Sequence, residues 1–143
     1  MKAVTSSVPA SFVSAVLVRA ASVPEVAARL PATESTVAVR MTDDREMERL
    51  NRAYAGVAGA TDVLSFAGTG NHLGDIAISW PAVERQASEY GHDARTELAL
   101  LAVHGLLHVL GWDHAAARER KEMTRLTLEA LKRSRITLAP GRL

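Results

Sequence analysis

The sequence HGLLHVLGWDH, residues 104–114, places three histidines on and just after one apolar helix. His104 and His108 are four residues apart, so on a helix they lie about 40° apart on one face. Gly111 suits the left-handed conformation that ends a helix, after which the chain can turn and bring His114 back. Three converging imidazoles suit a tetrahedral metal whose fourth position stays open, as in catalytic sites. The spacing therefore predicts a metal site with His104, His108 and His114 as ligands.

An alternative is that the three histidines are hydrogen-bonded core residues, as a single histidine in an apolar helix usually is. Each would then need its own polar partner among leucines and valines, and an unsatisfied buried polar group costs roughly 1–3 kcal/mol. A bound metal satisfies all three at once. The spacing therefore favours the metal site over the core interpretation.

The composition is that of one globular domain, and we expect residues 1–143 to form it. Of the 143 residues, 48% are hydrophobic and 23% charged, and the net charge is +1. So small a net charge argues against tight non-specific nucleic-acid binding but leaves a local basic patch open. Cysteine is absent, so any metal must be held by histidines and carboxylates. No apolar run is long enough to cross a bilayer, and we expect a cytoplasmic protein with no membrane partner.

Hydrophobic periodicity predicts the order helix, strand, helix, strand, strand, helices. Thr61 to Phe66 and Leu73 to Trp80 are strands joined by a glycine-containing turn, which favours an antiparallel pair. The histidine helix is apolar nearly all round and is therefore predicted to be central and buried. We expect an α+β (or α/β) fold, a small mixed sheet packed with helices around a metal-binding helix. The other predicted elements are helices over Pro9–Ala21, Pro24–Leu30, Asp43–Tyr54, Pro81–Glu89, Arg95–Leu110 and Ala115–Lys132, and a strand over Ser35–Thr42.

The histidine spacing matches the H-E-x-x-H-x-x-G-x-x-H pattern of the metzincin peptidases, which predicts a zincin-like frame. The glutamate that is the general base in those peptidases is replaced here by Gly105. Positioned general acid–base catalysis contributes roughly 10²–10⁴-fold, so a peptidase without it would be severely impaired. The glycine therefore argues against a small metallopeptidase as the function of this chain.

Further motifs accompany the histidines in a fixed order. Residues 61–66 read TDVLSF and residues 73–76 read LGDI; Leu50, Asn51 and Tyr54 precede them, and Met123 follows the histidines. Together these segments, over roughly residues 36–125, resemble the YbeY family of bacterial endoribonucleases. Several ordered motifs are far more specific than one short pattern.

The resemblance implies a zinc-dependent, single-strand-specific endoribonuclease that acts in ribosomal RNA maturation, notably at the 3′ end of 16S rRNA, and in ribosome quality control. Its partners would be a single-stranded rRNA precursor and the small ribosomal subunit with its proteins. The three histidines would hold one Zn²⁺ per chain, although imidazole ligands also accept other divalent metals. The metal could activate water for attack on a phosphodiester, or stabilise charge on a phosphate oxygen.

Other residues are candidates for catalysis or substrate binding. Asp62 and Asp75 are candidate catalytic groups, either as a base or as residues that position the substrate or a ligand histidine. An equally favoured alternative is a purely structural role, because aspartate is common in turns and at strand ends. His114 is counted with them, and Ser65 is a candidate substrate-binding residue. Ala55 stands where the family usually has an arginine after its tyrosine. Arg52 lies about one helical turn, roughly 5 Å, from that position and could substitute for it.

Two further expectations concern polar groups outside these motifs. Glu97 precedes His104 on the same helix face and could orient a ligand, but a solvated residue in the first turn is favoured. His72 and His92 fall in predicted loops, where we expect them to be solvated.

A second function class stays open beside the nuclease. The chain could be a metal-binding ribosome-assembly factor with little hydrolysis of its own. Both the alanine at position 55 and the glycine at position 105 favour this alternative.

Overall fold

Six α-helices and three strands form the part of the chain described by the computed structural model, residues 8–55, 61–113 and 116–143. The predicted element order and the α+β class with a small mixed sheet are confirmed. The elements are α1 (Ala10–Ala20), α2 (Pro24–Ala27), β1 (Thr36–Thr42), α3 (Asp44–Leu50), β2 (Val63–Ala67), β3 (His72–Ser79), α4 (Trp80–Tyr90), α5 (Ala94–Val109) and α6 (Ala117–Arg133).

The sheet has the strand order β1-β3-β2, with β3 in the centre. β1 is parallel to β3, and β2 is antiparallel to β3, so the predicted antiparallel pair is confirmed. Ile76 and Ile78 are buried in the main core, whereas Ala77 belongs to a smaller cluster with residues of α3. Since side chains alternate along a strand, Asp75 shares the face of Ala77 and not that of Ile76.

α5 is the central element, as its uniformly apolar sequence predicts. It packs against α1, α4, α6, β2 and β3. Leu100, Leu101 and Leu107 are essentially inaccessible to solvent. A helix with neighbours on nearly every side must be apolar on nearly every side. His104 and His108, towards its C-terminal end, are only half-buried.

Three residues predicted to begin or end helices, Asp43, Gly91 and Asp93, are confirmed in that role. The Asp43 carboxylate accepts a hydrogen bond from the Glu46 N–H at 2.8 Å at the start of α3. The Asp93 carboxylate does the same for α5, accepting from the Thr96 N–H at 2.7 Å. These side chains satisfy amide groups that the first turn of a helix leaves without partners. Gly91 follows α4 with φ 82°, the left-handed conformation typical of a residue that ends a helix.

Two helix ends differ from the prediction, and the first is that of α2, which ends at Ala27 and not at Leu30. The helix expected to run to Tyr54 as α-helix changes at Asn51 into a π-helical turn, Asn51–Ala55. A π turn is wider than an α turn because its hydrogen bonds join residues five apart. The α-helical spacing that relates Arg52 to Ala55 therefore does not apply there. Within the described ranges, every helix falls short of the length and hydropathy that spanning a bilayer requires.

Candidate functional site

Two of the three predicted metal ligands, His104 and His108, line one cleft between α5 and β2. The cleft has a volume of about 570 Å³, and both histidines are half-buried beside it. Asp62 and Ser65 form the facing wall, and Arg142 joins them from the C-terminal segment. The four-residue spacing on α5 thus directs both imidazoles into the same space, as the sequence predicts.

The third predicted ligand, His114, lies outside the described residues. Among residues 8–55, 61–113 and 116–143, no group of three histidine or carboxylate side chains is arranged to hold a metal. The cleft does contain the imidazoles of His104 and His108, which are donors of a type that zinc and related metals accept. His104 and His108 thus fit the predicted metal site as two of its three expected ligands.

The chain leaves α5 through an anchored turn. Gly111 has φ 101°, which confirms the predicted left-handed residue after the helix. Trp112 is buried, and its indole N–H donates to the Glu122 carboxylate at 2.9 Å. The Arg29 guanidinium lies 3.5 Å from the centre of the Trp112 ring and donates to the Leu110 carbonyl at 3.2 Å. The course of the chain is therefore fixed to within two residues of His114.

Asp62 lies in the cleft at the start of β2. Its carboxylate accepts a hydrogen bond from the Val63 N–H at 2.8 Å and another from the Gln86 side chain of α4 at 3.2 Å. Two donors hold the carboxylate in one orientation at the cleft wall. The structure thus brings this predicted residue together with His104 and His108.

Ser65 also faces the cleft. Its hydroxyl donates to the Gly105 carbonyl of α5 at 3.1 Å, beside the first histidine of the pair. This bond fastens the middle of β2 to the helix that carries the histidines.

Asp75 is not brought into the histidine cleft. It is exposed on the other face of the sheet, where the His72 imidazole lies 3.1 Å from its carboxylate. There it lines a second cleft of about 520 Å³ with Tyr54 and Phe66, whose rings pack edge to face 5.5 Å apart. The period-two alternation around the buried Ile76 places Asp75 on this side. The expectation that His72 is solvated holds only in part, since Asp75 and β1 contact it.

Arg52 also lies away from the histidines. Its guanidinium donates to the Glu48 carboxylate at 2.8 Å along the same helical segment, and the side chain is largely exposed. It lines a separate groove with other charged residues of α3. Arg52 lies in the π-helical turn that follows α3, so the one-turn spacing of an α-helix does not relate it to position 55.

The expectation of a solvated Glu97 and a solvated His92 is wrong. The Glu97 side chain is completely buried, and that of His92 is 7% exposed. Glu97 accepts hydrogen bonds from Arg142 at 3.0 and 2.7 Å and pairs with the His92 Nε2 at 2.7 Å. His92 Nδ1 accepts from the Ala139 N–H at 3.0 Å, so the ring proton is on Nε2 and points at Glu97. The first-turn position predicts exposure, but the C-terminal segment folds back over it.

The pKa of Glu97 follows from this cluster. Burial acts to raise the pKa of the carboxyl, because it disfavours the charged form. The hydrogen bonds from Arg142 and then His92 outweigh burial and hold the pKa of Glu97 below its ordinary value. The same pairing raises the pKa of Arg142 above its usual range. A charged glutamate and a charged arginine therefore meet at the edge of the histidine cleft.

Comparison with known proteins places this arrangement in a family. The family model described as endoribonuclease YbeY matches residues 5–135. Endoribonuclease YbeY of Chloroflexus aggregans is 44% identical over 130 residues, which cover 82% of this chain and 84% of that protein. Endoribonuclease YbeY of Pelotomaculum thermopropionicum is 46% identical over 114 residues, 73% of this chain and 75% of its own.

A solved structure has the same fold. The solution structure of a protein from Thermotoga maritima covers 96% of both chains with a TM-score of 0.58 and 21% identity. Fold similarity at this identity concerns the architecture alone, whereas the sequence matches extend over most of the chain and include the histidine segment. The chain belongs to the YbeY family of endoribonucleases.

Proposed function

We propose that this chain is a zinc-dependent endoribonuclease that cleaves single-stranded RNA during the maturation of ribosomal RNA. Family membership supports a nuclease hydrolase acting on RNA. The metal-dependent part of the proposal rests on one observation, the pair His104 and His108 in a cleft that also holds Asp62.

In this proposal α5 is the metal-binding helix of a zincin-like fold. His104, His108 and His114 hold one Zn²⁺ per chain, with other divalent metals as alternatives. A zinc ion bound there supplies a Lewis acid in a cleft open to a phosphodiester. The remaining roles belong to the side chains of the chain itself.

Asp62 and Ser65 are the residues best placed to contact the reacting part of the RNA. The Asp62 carboxylate, held by two donors, can accept a proton or a hydrogen bond from a water or sugar hydroxyl in the cleft. The Ser65 oxygen retains acceptor capacity while its proton is donated to the Gly105 carbonyl. Arg52 and Asp75, which lie on other surfaces, can contact only those parts of a substrate that extend beyond the cleft.

The cellular role that we propose is processing of the 3′ end of 16S rRNA, together with ribosome quality control. The partners are then a single-stranded rRNA precursor and the small ribosomal subunit with its proteins, in the cytoplasm. The resemblance of the histidine, TDVLSF and LGDI segments to the family supports this assignment.

A specific observation favours a second candidate, a metal-binding ribosome-assembly factor with little hydrolysis. Ala55 carries no charge where the family usually has an arginine, and Arg52 is paired with Glu48 outside the cleft. A phosphate in the cleft therefore receives no cation from this helix. Charge stabilisation by a positioned cation is often a large part of phosphoryl chemistry, so its absence would lower the rate.

The deciding experiment measures metal content and RNA cleavage on the same preparations. We expect about one zinc per folded chain and cleavage of a short single-stranded RNA, with both lost in His108→Ala. The matched control is His72→Ala, which removes a histidine on the other face of the sheet and should keep both properties.

Each other outcome has a defined meaning. Cleavage that survives His108→Ala and chelation would come from a contaminating nuclease and would overturn the proposal. Zinc binding without cleavage would favour the assembly factor. Hydrolysis of peptides in place of RNA would revive the metallopeptidase, which the family match and the glycine at position 105 oppose.

A further inference from the structure

Arg142 brings a cation to the histidine cleft from a part of the chain outside the family motifs. It lies in the C-terminal segment after α6, yet its side chain lines the same cleft as His104 and His108. Only 13% of the side chain is exposed. A nearly buried guanidinium at the wall of a cleft needs a physical reason, because burying a charge is costly unless the charge is paired.

Glu97 provides the pairing and also fixes the orientation. The Nε and Nη2 groups of Arg142 donate to the two oxygens of Glu97 at 3.0 and 2.7 Å. Two parallel bonds between planar groups define the plane and direction of the guanidinium. Tyr90 lies on one face of that plane, 4.4 Å from its ring centre to the guanidinium carbon. The guanidinium is therefore held rigidly, with little freedom to leave the cleft.

This orientation leaves donors available. A guanidinium carries five N–H groups, and Glu97 uses two of them. The other three have no hydrogen-bond acceptor among the described residues. The Asp62 carboxylate faces the same region, and its charge adds to the pKa elevation of Arg142 without a direct bond. Arg142 thus lines the cleft with N–H groups that Glu97 does not use.

We propose that Arg142 forms a phosphate-binding subsite that holds a backbone phosphate of RNA beside the histidines, with Glu97 as its positioning residue. The inference rests on the proposed nuclease function. A phosphate accepts hydrogen bonds from an arginine in the bidentate geometry that carboxylates use. In this subsite Arg142, from the C-terminal segment, supplies the positive charge that Ala55 cannot supply.

The test is the affinity of a short fluorescent single-stranded RNA measured over a series of salt concentrations. Arg142→Met should weaken binding roughly tenfold, the loss expected for a charge-assisted hydrogen bond. It should also lower the slope of log affinity against log salt by about 0.7, the value for one phosphate contact with a single strand. Zinc content should remain that of the wild-type chain, which separates loss of the subsite from collapse of the cleft.

Two variants control for charge and for folding. Arg125→Met removes the same charge from an ion pair with Glu25 outside the cleft, and it should keep the wild-type affinity and slope. Arg142→Met leaves Glu97 buried without its cation, so Glu97→Gln/Arg142→Met is made beside it. Arg142→Lys keeps the charge next to Glu97, but a single ammonium lacks the forked geometry; it should weaken binding several-fold in a folded protein.

Wild-type affinity and salt slope in Arg142→Lys, or in either folded methionine variant, would overturn the inference while leaving the nuclease proposal intact. An equal loss in Arg125→Met would reduce the effect to net charge and would also overturn it. A wild-type chain that neither binds nor cleaves the RNA would overturn the proposed function, and this inference with it.

Discussion

Gly105 and Ile76 are in such close contact that residue 105 has no room for a side chain. A Cβ atom at Gly105 would lie 2.6 Å from Ile76 Cγ2, well inside ordinary contact distance. Ile76 is only 1% exposed and cannot turn into solvent. The glycine thus lets α5 lie directly on β3. The glutamate that metzincin peptidases carry at this position would collide with the sheet, so a steric reason joins the sequence argument against a peptidase.

The first prediction concerns this contact. Gly105→Ala should lower the free energy of unfolding by about 1–3 kcal/mol, the usual cost of overpacking a core. Higher intrinsic helix propensity of alanine offsets part of that cost. Urea denaturation of the two proteins measures the difference.

A double-mutant cycle with Ile76→Ala is the control for Gly105→Ala. Ile76→Ala removes the three atoms nearest to the new Cβ, so the alanine at 105 should cost less in that background. Additive costs would show that the steric contact does not limit residue 105.

The second prediction separates the two candidate aspartates. Asp62 lines the histidine cleft and Asp75 lies on the opposite face, so only Asp62→Asn should impair cleavage of a short RNA. The loss in kcat/KM should reach about 10²–10⁴-fold if Asp62 is the general base. Asparagine keeps the oxygen that accepts from Val63, so the fold should be retained. A larger loss in Asp75→Asn would assign the chemistry to the other face of the sheet.

The third prediction is a pH dependence of stability. The pKa of Glu97 is lower in the folded chain than its ordinary value near 4.5, because its hydrogen bonds from Arg142 and His92 outweigh burial. A lowered folded pKa stabilises the fold fully above the unfolded pKa, and this stabilisation disappears as pH falls through the folded pKa. The advantage of the wild type over Glu97→Gln should therefore be constant near neutral pH and shrink below about pH 4.5. A difference independent of pH down to acid unfolding would contradict the assigned pairing.

The fourth prediction concerns Ser79, which joins α3, β3 and α4. Its buried hydroxyl accepts from the Ala82 N–H at 3.2 Å and donates to the Asp44 carboxylate at 2.8 Å. Ser79→Ala removes both bonds and should lower the free energy of unfolding by about 1–2 kcal/mol, as loss of a helix cap does. A change below about 0.5 kcal/mol, the usual range for surface sites, would show that the cap is unimportant.

Local patterns predict the elements because the relevant physics is local. Alternation in Thr36–Thr42 and the aspartates at positions 43 and 93 depend on neighbours within a few residues, and they predict β1 and the starts of α3 and α5. The four-residue spacing of His104 and His108 likewise fixes a shared helix face. The parallel pairing of β1 with β3 joins segments some 36 residues apart and has no local signal.

The exposure of Glu97 could not be predicted from the sequence, because it depends on tertiary contacts. Glu97 looks like an ordinary first-turn acid because its partner Arg142 comes from 45 residues away. Asp75 is different, since its side of the sheet could be read from the sequence. Its apolar neighbour Ile76 is expected to face the core. Because side chains alternate along a strand, this assigns Asp75 to the other face of the sheet.

The packing of Trp112 gives the chain an optical reporter of its own. The indole lies between the Arg29 guanidinium and the Glu122 carboxylate, two residues before His114. Indole emission responds to nearby charge, so metal capture by the segment that follows should alter the Trp112 fluorescence without any attached dye. Trp80 is the other tryptophan, buried at the start of α4. Trp80→Phe would therefore yield a single-tryptophan protein in which the proposed binding of zinc can be followed by stopped-flow fluorescence.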